Sequence, residues 1–472
     1  MLEDLELFNE LVEVLLNEEQ NHPVAAPIPT HKLYDTLDLS LNELPSVDKD
    51  FKNTLIELIK STPKTASTSF YNQLFGGRLS KATLGDLLAV MLNTSMYTYK
   101  VAGPQVGVEK AVLHKICEMI GYGNQSDGTF VSGGSMSNFM AMVMARDKYD
   151  PSTRTQGVAA KMIIYTSEVS HYSIQKNAAL MGIGRNQVRF IKANDYGEML
   201  PDNLELQIQN DLAQGFLPFF VNATAGTTVL GAFDRVEPLS RICKTYNLWL
   251  HLDGAYCGSV IFSNRYKHLV KGIEFTDSFS VNAHKMLGAP LTCSIIVTQE
   301  KKHLYQSFSN EAEYLYQTAN DDFNPGKTSL QCGRRNDALK IWTLWKSVGS
   351  IGLEQIVDHQ FHLADVARNY IRNHPDYTLH SFDNSISVCF NYKGISAKAL
   401  CAELYLDSEL MVSYGAFKDE EFVRMVTINT SLQEKDIINF FKTIENFVNV
   451  KKTASLGSRV FAEFGINWEI LV

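Results

Sequence analysis

The chain reads as an α/β protein: a mostly parallel sheet in a large domain, plus a small α+β domain at the C-terminal end. Three observations predict this. From about residue 106 to 350, short apolar runs alternate with helical patterns, as expected of parallel strands covered on both faces. After about residue 356 the order changes to a helix followed by strands and further helices. The length, 472 residues, exceeds what one core fills. The boundaries that follow are 1–105 for an N-terminal helical and irregular segment, 106–355 for the large domain and 356–472 for the small one.

The N-terminal stretch "MLEDLELFNELVEVLLNEEQ" holds seven acidic and no basic residues. It lacks the basic start and compact apolar run of a signal peptide. Leu5, Phe8, Val12 and Leu15 fall on one helical face, so it is expected to form an amphipathic helix that needs a partner surface. Residues 20–105 are irregular with short helices, "LGDLLAVMLNT" among them. "GVEKAVLHKICEMIGY" is a helix. The strand "AKMIIYT" leads into the helix "SHYSIQKNAALMG", and "QVRFIKA" is a short strand. The helix "NLELQIQNDLAQG" stops at Gly215. Then come the strand "LPFFVNAT", the helix "VEPLSRICKTYN", and the strands "LWLHLDG", "SFSVNA" and "CSIIVT". The helix "ALKIWTLWKSVG" closes the alternation. The small domain has strands "SISVCFNY" and "FVRMVTINT" and helices "KALCAELYLD" and "EKDIINFFKTIENFV".

Composition is that of a soluble globular protein, with 45% hydrophobic and 20% charged residues. A net charge of -9 argues against a broad nucleic-acid surface. No apolar run approaches the ~18 residues of a membrane span. The seven cysteines (Cys117, Cys243, Cys257, Cys293, Cys332, Cys389, Cys401) are scattered, with no CxxC pair. Neither structural metal nor a disulfide framework is expected, and a reducing, cytoplasmic location fits best.

Two nucleotide motifs fail. "NPGKTS" has the ending of a phosphate-binding loop, but the position of its first glycine holds Asp321, and no strand leads into it. "MGIGRNQ" begins like a dinucleotide fingerprint and has Gln187 at the third glycine.

A different constellation survives. "GTFVSGGSMSNFMAMVMARDKY" joins a Gly/Ser turn to a helix, so the amides of Gly134, Ser135, Met136 and Ser137 lie at a helix N-terminus that attracts phosphate; a simple N-cap would look similar. Asp253 ends the strand "LWLHLDG", where ligands of open α/β sheets bind; a turn aspartate is the plain alternative. Lys285, in "SVNAHKML", lies 32 residues further on, past another strand end on the same rim. A lysine there can bind a carbonyl covalently. His171 and Thr227 follow strands at that rim too. A lysine for an aldehyde, a carboxylate for a ring nitrogen and a phosphate cradle are what pyridoxal phosphate requires of a protein.

In this order these residues resemble the pyridoxal-phosphate-dependent group II amino-acid decarboxylases, and within them the glutamate and cysteine sulfinate decarboxylases. The stretches "SFYNQLFGG", "LNTSMYTY", "SGGSMSN", "VNATAGTTVLGAFD", "NLWLHLDGAY", "NAHKM", "LQCGRR" and "FVRMV" carry the likeness, from about residue 65 to 445. The resemblance implies fold type I, the aspartate-aminotransferase-like fold, working as a homodimer whose N-terminal helix clasps the partner. It implies that Lys285 bonds the cofactor, Asp253 holds its ring nitrogen protonated, Ala255 lies under the ring, and His171 stacks above it. Ser135, Met136, Ser137, Asn282 and His284 would surround the phosphate, with Thr227 near the ring hydroxyl and Cys332 and Gly333 reaching the phosphate of the partner subunit. Arg424 would bind the substrate's α-carboxylate, and Gln73 would help fix the substrate.

The sequence departs from the family in three places. Phe323 stands where the glutamate enzymes carry a loop tyrosine that can supply a proton, and phenylalanine has none to give. His171, Tyr314 or Tyr316 could act instead, or the outcome could be an aldehyde. "DGA" replaces "DAA", and Lys100 stands where an acidic residue is common. The expected reaction is decarboxylation of an acidic amino acid: glutamate, aspartate or cysteine sulfinate. A diamino or aromatic substrate, an aminotransferase or aldehyde-forming relative, and a catalytically silent scaffold are the alternatives.

Overall fold

The computed structural model describes residues 1–158, 161–310 and 321–451. They form two compact units: Arg78–Phe361 is one, and Met1–Gly77 with the described residues from His362 onward is the other. Residues 78–105 lie with the large unit.

The large unit is built on seven strands: β1 (Asp127–Val131), β2 (Met162–Ser167), β3 (Val188–Ile191), β4 (Leu217–Thr224), β5 (Trp249–Gly254), β6 (Ser278–Asn282) and β7 (Ser294–Thr298). Their order is β1-β7-β6-β5-β4-β2-β3. Only β7 runs antiparallel to its neighbours, β1 and β6. The mostly parallel sheet is therefore as expected. Strands β5, β6 and β7 are buried along their whole length, which is why they read as unbroken apolar runs. Strand β1 was not anticipated. "DGTFV" is short and opens on Asp-Gly, a turn signal; it is recruited by pairing with β7, Thr129 opposite Ile296.

The helix Gly134–Tyr149 crosses one face of the sheet, against β4, β5, β6 and β7. Its Met140, Met142 and Met144 share a core with Phe219, Phe220 and Trp249. Gly254 and Gly258 let Phe279 of β6 approach: a Cβ on either would meet its ring at 2.6 and 2.9 Å. The helix expected to end at Gly349 does break there, and the next one follows directly after it. Gly349 has φ +68°, a bend within Ala338–Arg372.

The small unit has an antiparallel sheet of order β10-β11-β9-β8, with β8 Tyr377–Leu379, β9 Ser387–Tyr392, β10 Ser413–Phe417 and β11 Glu420–Val426. Its core joins Leu363, Val388, Phe390, Leu400, Val423 and Phe440. Residues ahead of the large unit complete it. Tyr71 N–H donates to Met411 O at 2.7 Å, and Met411 N–H to Ser69 O at 2.9 Å. The Tyr71 hydroxyl donates to Asp436 O at 3.1 Å.

Phe279 is fully buried beneath the ends of β5 and β6. Phe279→Ala is expected to destabilise the large unit by about 3–5 kcal/mol, measured by urea denaturation followed through tryptophan fluorescence.

Candidate active site

Because β1, β2, β4, β5 and β6 run the same way, their carboxyl ends share one rim, the edge at which open α/β sheets bind ligands. Register aligns the rim: Thr224 of β4 pairs with Asp253 of β5, and Asp253 with Ser280 of β6.

Asp253 is 5% exposed. Its Oδ1 accepts from the Ala255 amide at 3.0 Å and its Oδ2 from the Asn138 side chain at 2.7 Å. Lys285 sits in the turn after β6, its N–H donating to Asn282 O at 3.1 Å. Its Nζ lies 5.9 Å from the centre of the Tyr256 ring. His171 is half-buried in the link between β2 and the helix Ser173–Leu180, two residues before that helix. Burial lowers its pKa; the Asp253 charge opposes this and the Lys285 charge adds to it. His171, Asp253 and Lys285 are thus within electrostatic reach of one another. The Ser173 amide donates to His171 Nδ1 at 3.2 Å, so the proton of the neutral ring lies on Nε2.

The Gly/Ser turn meets Asn282 and Ala255. A Cβ on Gly134 would lie 2.8 Å from Ala255 Cβ and 3.2 Å from Asn282 Nδ2. Met136 and Ser137 N–H donate to Gly133 O at 2.9 and 3.1 Å, which leaves the amides of Gly134 and Ser135 at the first two helical positions. The Asn177 side chain braces the turn by donating to Ser135 O at 2.9 Å. Ser137 Oγ and Asn282 Oδ1 are buried polar atoms with no hydrogen-bond partner among the described residues. His284 is also neutral: burial first, then the Lys285 charge, lowers its pKa to about 4. Its Nδ1 is held by the Cys293 backbone, 3.0 Å from the amide nitrogen and 3.1 Å from the carbonyl oxygen. Orphaned polar atoms, a turn with room for no side chain at Gly134 and a neutral imidazole together fit a bound phosphate. Thr227 is buried in the turn after β4, its hydroxyl accepting from Ala232 N at 3.0 Å and keeping its own proton to donate.

Arg424 and Gln73 belong to the small unit. Arg424, on β11, donates through Nε to Ser413 Oγ at 3.0 Å and through Nη2 to Asn72 O at 2.9 Å, which places it beside Gln73. In the large unit Cys332 is exposed. Phe323 packs edge-on against Tyr99, centroids 5.8 Å apart. Tyr314 and Tyr316 lie outside the described residues.

Sequence reasoning missed Asn138 and His251. Asn138 lies within the stretch already singled out, one residue past the cradle. His251 precedes Asp253 by two, and strand periodicity puts both on one face; that spacing was the available signal.

Residues 31–393 match the pyridoxal-dependent decarboxylase conserved domain. The chain belongs to the pyridoxal-dependent decarboxylase family. It is 38% identical to human cysteine sulfinic acid decarboxylase over 367 residues, covering 76% of this chain and 74% of that protein. With the rat protein the identity is 38% over 430 residues, covering 86% and 87%. The crystal structure of mouse CSAD superposes with a TM-score of 0.89 at 32% identity, covering 94% of this chain and 98% of that one. Rice TDC with PLP and tryptamine shares the fold, with a TM-score of 0.87 at 22% identity. The protein is thus a pyridoxal-phosphate-dependent amino-acid decarboxylase of fold type I. No helix of the described residues is long and apolar enough to cross a membrane.

The buried histidines give the family member a pH signature. Burial lowers the His251 pKa from its ordinary 6.5 to about 4. The unfolded chain therefore binds the proton first, so its contribution is fully present above about pH 6.5 and is lost as pH falls toward 4. Stability is expected to drop by roughly 3 kcal/mol across that window, and His251→Gln should remove this share of the slope, as urea melts at a series of pH values would read.

Proposed function

We propose that the substrate is a small acidic amino acid, with cysteine sulfinate first and glutamate and aspartate after it. The observation that carries this is the 38% identity to rat cysteine sulfinic acid decarboxylase across 86% of the chain. In this reading Lys285 bonds the cofactor aldehyde, and Asp253 keeps the ring nitrogen protonated. Ala255 and His171 face the two sides of the ring, and Thr227 donates to its hydroxyl. The Ser135, Met136 and Ser137 turn, Asn282 and His284 would hold the phosphate, and Cys332 and Gly333 would reach the phosphate of the partner subunit. When bound, pyridoxal phosphate supplies an electron sink for the bond that breaks.

The chain's own task is orientation. Arg424 grips the α-carboxylate through its planar fork, and Gln73 steadies the rest of the substrate. Together they would set which bond of the α-carbon faces the electron sink that the cofactor supplies. A proton returns to the α-carbon on the face that His171 covers. Burial keeps the imidazole neutral, so it would orient the proton donor through a hydrogen bond at Nε2 rather than give up its own single proton.

A second reading, in which the product is an aldehyde formed with consumption of dioxygen, is favoured by Phe323 at the expected proton-donor position. Product analysis separates the two: amine plus carbon dioxide, or aldehyde plus ammonia and carbon dioxide.

The dimer belongs to the same proposal. Leu84, Leu87, Leu88 and Met91 form an exposed apolar stripe on the helix Ser80–Leu92 at the spacing of one helical face. Leu5 and Phe8 are exposed on the N-terminal helix. We assign these surfaces to a second copy, with the N-terminal segment clasping it. The seven cysteines, none of them in a disulfide, support a reducing, cytosolic setting.

Three outcomes test these assignments. Lys285→Ala should abolish the visible absorption band formed with pyridoxal phosphate and all carbon dioxide release. Arg424→Gln should lower kcat/KM for cysteine sulfinate by about 10–100-fold, the loss of hydrogen bonds to a charged group; unchanged kinetics would remove Arg424 from the site. Leu88→Asp should shift a dimer toward monomer in sedimentation velocity.

A further inference from the structure

We infer that Asn138 and His251 are positioning residues that act through Asp253 on the cofactor's ring nitrogen, as links of a one-way chain of hydrogen-bond donors ending on that carboxylate. The inference rests on the cofactor reading above and goes beyond it to groups that never touch the cofactor.

The chain has four links inside the large unit. Trp249 Nε1 is 2.9 Å from Ser278 Oγ. Ser278 Oγ is 2.8 Å from His251 Nδ1. His251 Nε2 is 3.1 Å from Asn138 Oδ1. Asn138 Nδ2 is 2.7 Å from Asp253 Oδ2.

Its two ends determine every proton between them. An indole N–H can only donate, and an ionised carboxylate can only accept. Ser278 Oγ accepts from Trp249 and keeps its own proton available for His251 Nδ1. The imidazole, neutral in its buried place, then carries its proton on Nε2 and donates to Asn138 Oδ1. That fixes the amide with its NH2 toward Asp253. Turning the amide over would set an N–H against an N–H and an oxygen against a carboxylate. Trp249, Ser278, His251 and Asn138 are all buried, so water does not compete for these bonds. In such a chain each bond polarises the next.

Two effects follow at the rim. Asp253 Oδ2 is held in place, which fixes the direction in which the carboxylate faces the ring. Asn138 also donates to Ser173 Oγ at 3.0 Å, and the Ser173 amide holds His171 Nδ1. One side chain therefore ties the group beneath the ring nitrogen to the stem of the group above the ring.

The test uses the full-length protein stripped of cofactor and titrated with two probes. One is pyridoxal phosphate. The other is 1-deazapyridoxal phosphate, in which C–H replaces the ring nitrogen. The wild type should prefer pyridoxal phosphate. Asn138→Leu and His251→Leu should each weaken pyridoxal phosphate about tenfold and leave the deaza analogue within about twofold. Asn138→Asp, of nearly equal size, reverses the last link and should show the same selective loss. His251→Gln can still accept from Ser278 and donate to Asn138, and should restore most of the preference. Variants that keep the full preference overturn the inference. So do variants that lose both probes equally, since a purely structural role predicts that. A wild type without any preference instead overturns the role proposed for Asp253, and a wild type that binds neither probe overturns the cofactor reading itself.

Discussion

A carboxylate buried at the mouth of a sheet is the constraint on which the rest of this rim depends. Stripping water from an ionised group is expensive unless hydrogen bonds or opposite charge replace it. Asp253 receives the Ala255 amide on one oxygen and Asn138 on the other. To supply the first, the chain must turn sharply after β5. To supply the second, the helix Gly134–Tyr149 must cross the sheet with its first turn over the end of β5. That placement also brings Gly134 against Ala255 and Asn282. The phosphate cradle and the ring-nitrogen partner are in this sense one construction.

The three rim histidines share a device. Each has its Nδ1 held by a fixed group: the Ser173 amide for His171, the Cys293 backbone for His284 and the Ser278 hydroxyl for His251. Burial keeps all three neutral. His171 and His251 therefore each offer a single N–H from Nε2, in a direction set by the backbone or by a buried side chain. A charged imidazole would donate from both nitrogens and lose that direction.

Much of this could be read from the residues alone. Strands β2, β4, β5 and β6 are runs of branched and aromatic residues bounded by turn residues, and their ends placed Asp253, Asn282 and Lys285 correctly on one edge. Thr227 and the Gly/Ser turn followed from the same reasoning, while His284 came only from the family resemblance. Strand β1 escaped because five residues opening on Asp-Gly carry little local strand signal, and it forms only through β7. The break at Gly349 was legible because glycine reads as a helix stop; what the residues did not show is that the next helix follows directly after this left-handed residue. Asn138 and His251 escaped for a different reason. A polar residue within an apolar helix and a histidine within a strand gain meaning only when their partners are known, and those partners lie more than 100 residues apart along the chain.

The small unit is made from both ends of the chain, while the large unit is continuous. Phe70 and Tyr71 are buried by partners at Met411 and beyond. During synthesis these early residues leave the ribosome hundreds of residues before the strands that cover them. The large unit can therefore complete its fold first, and the N-terminal segment waits with its apolar side chains uncovered until nearly the whole chain has been made. A ribosome that stalls late would leave a finished sheet attached to an unfinished neighbour, a form that chaperones and proteases would recognise by that waiting segment.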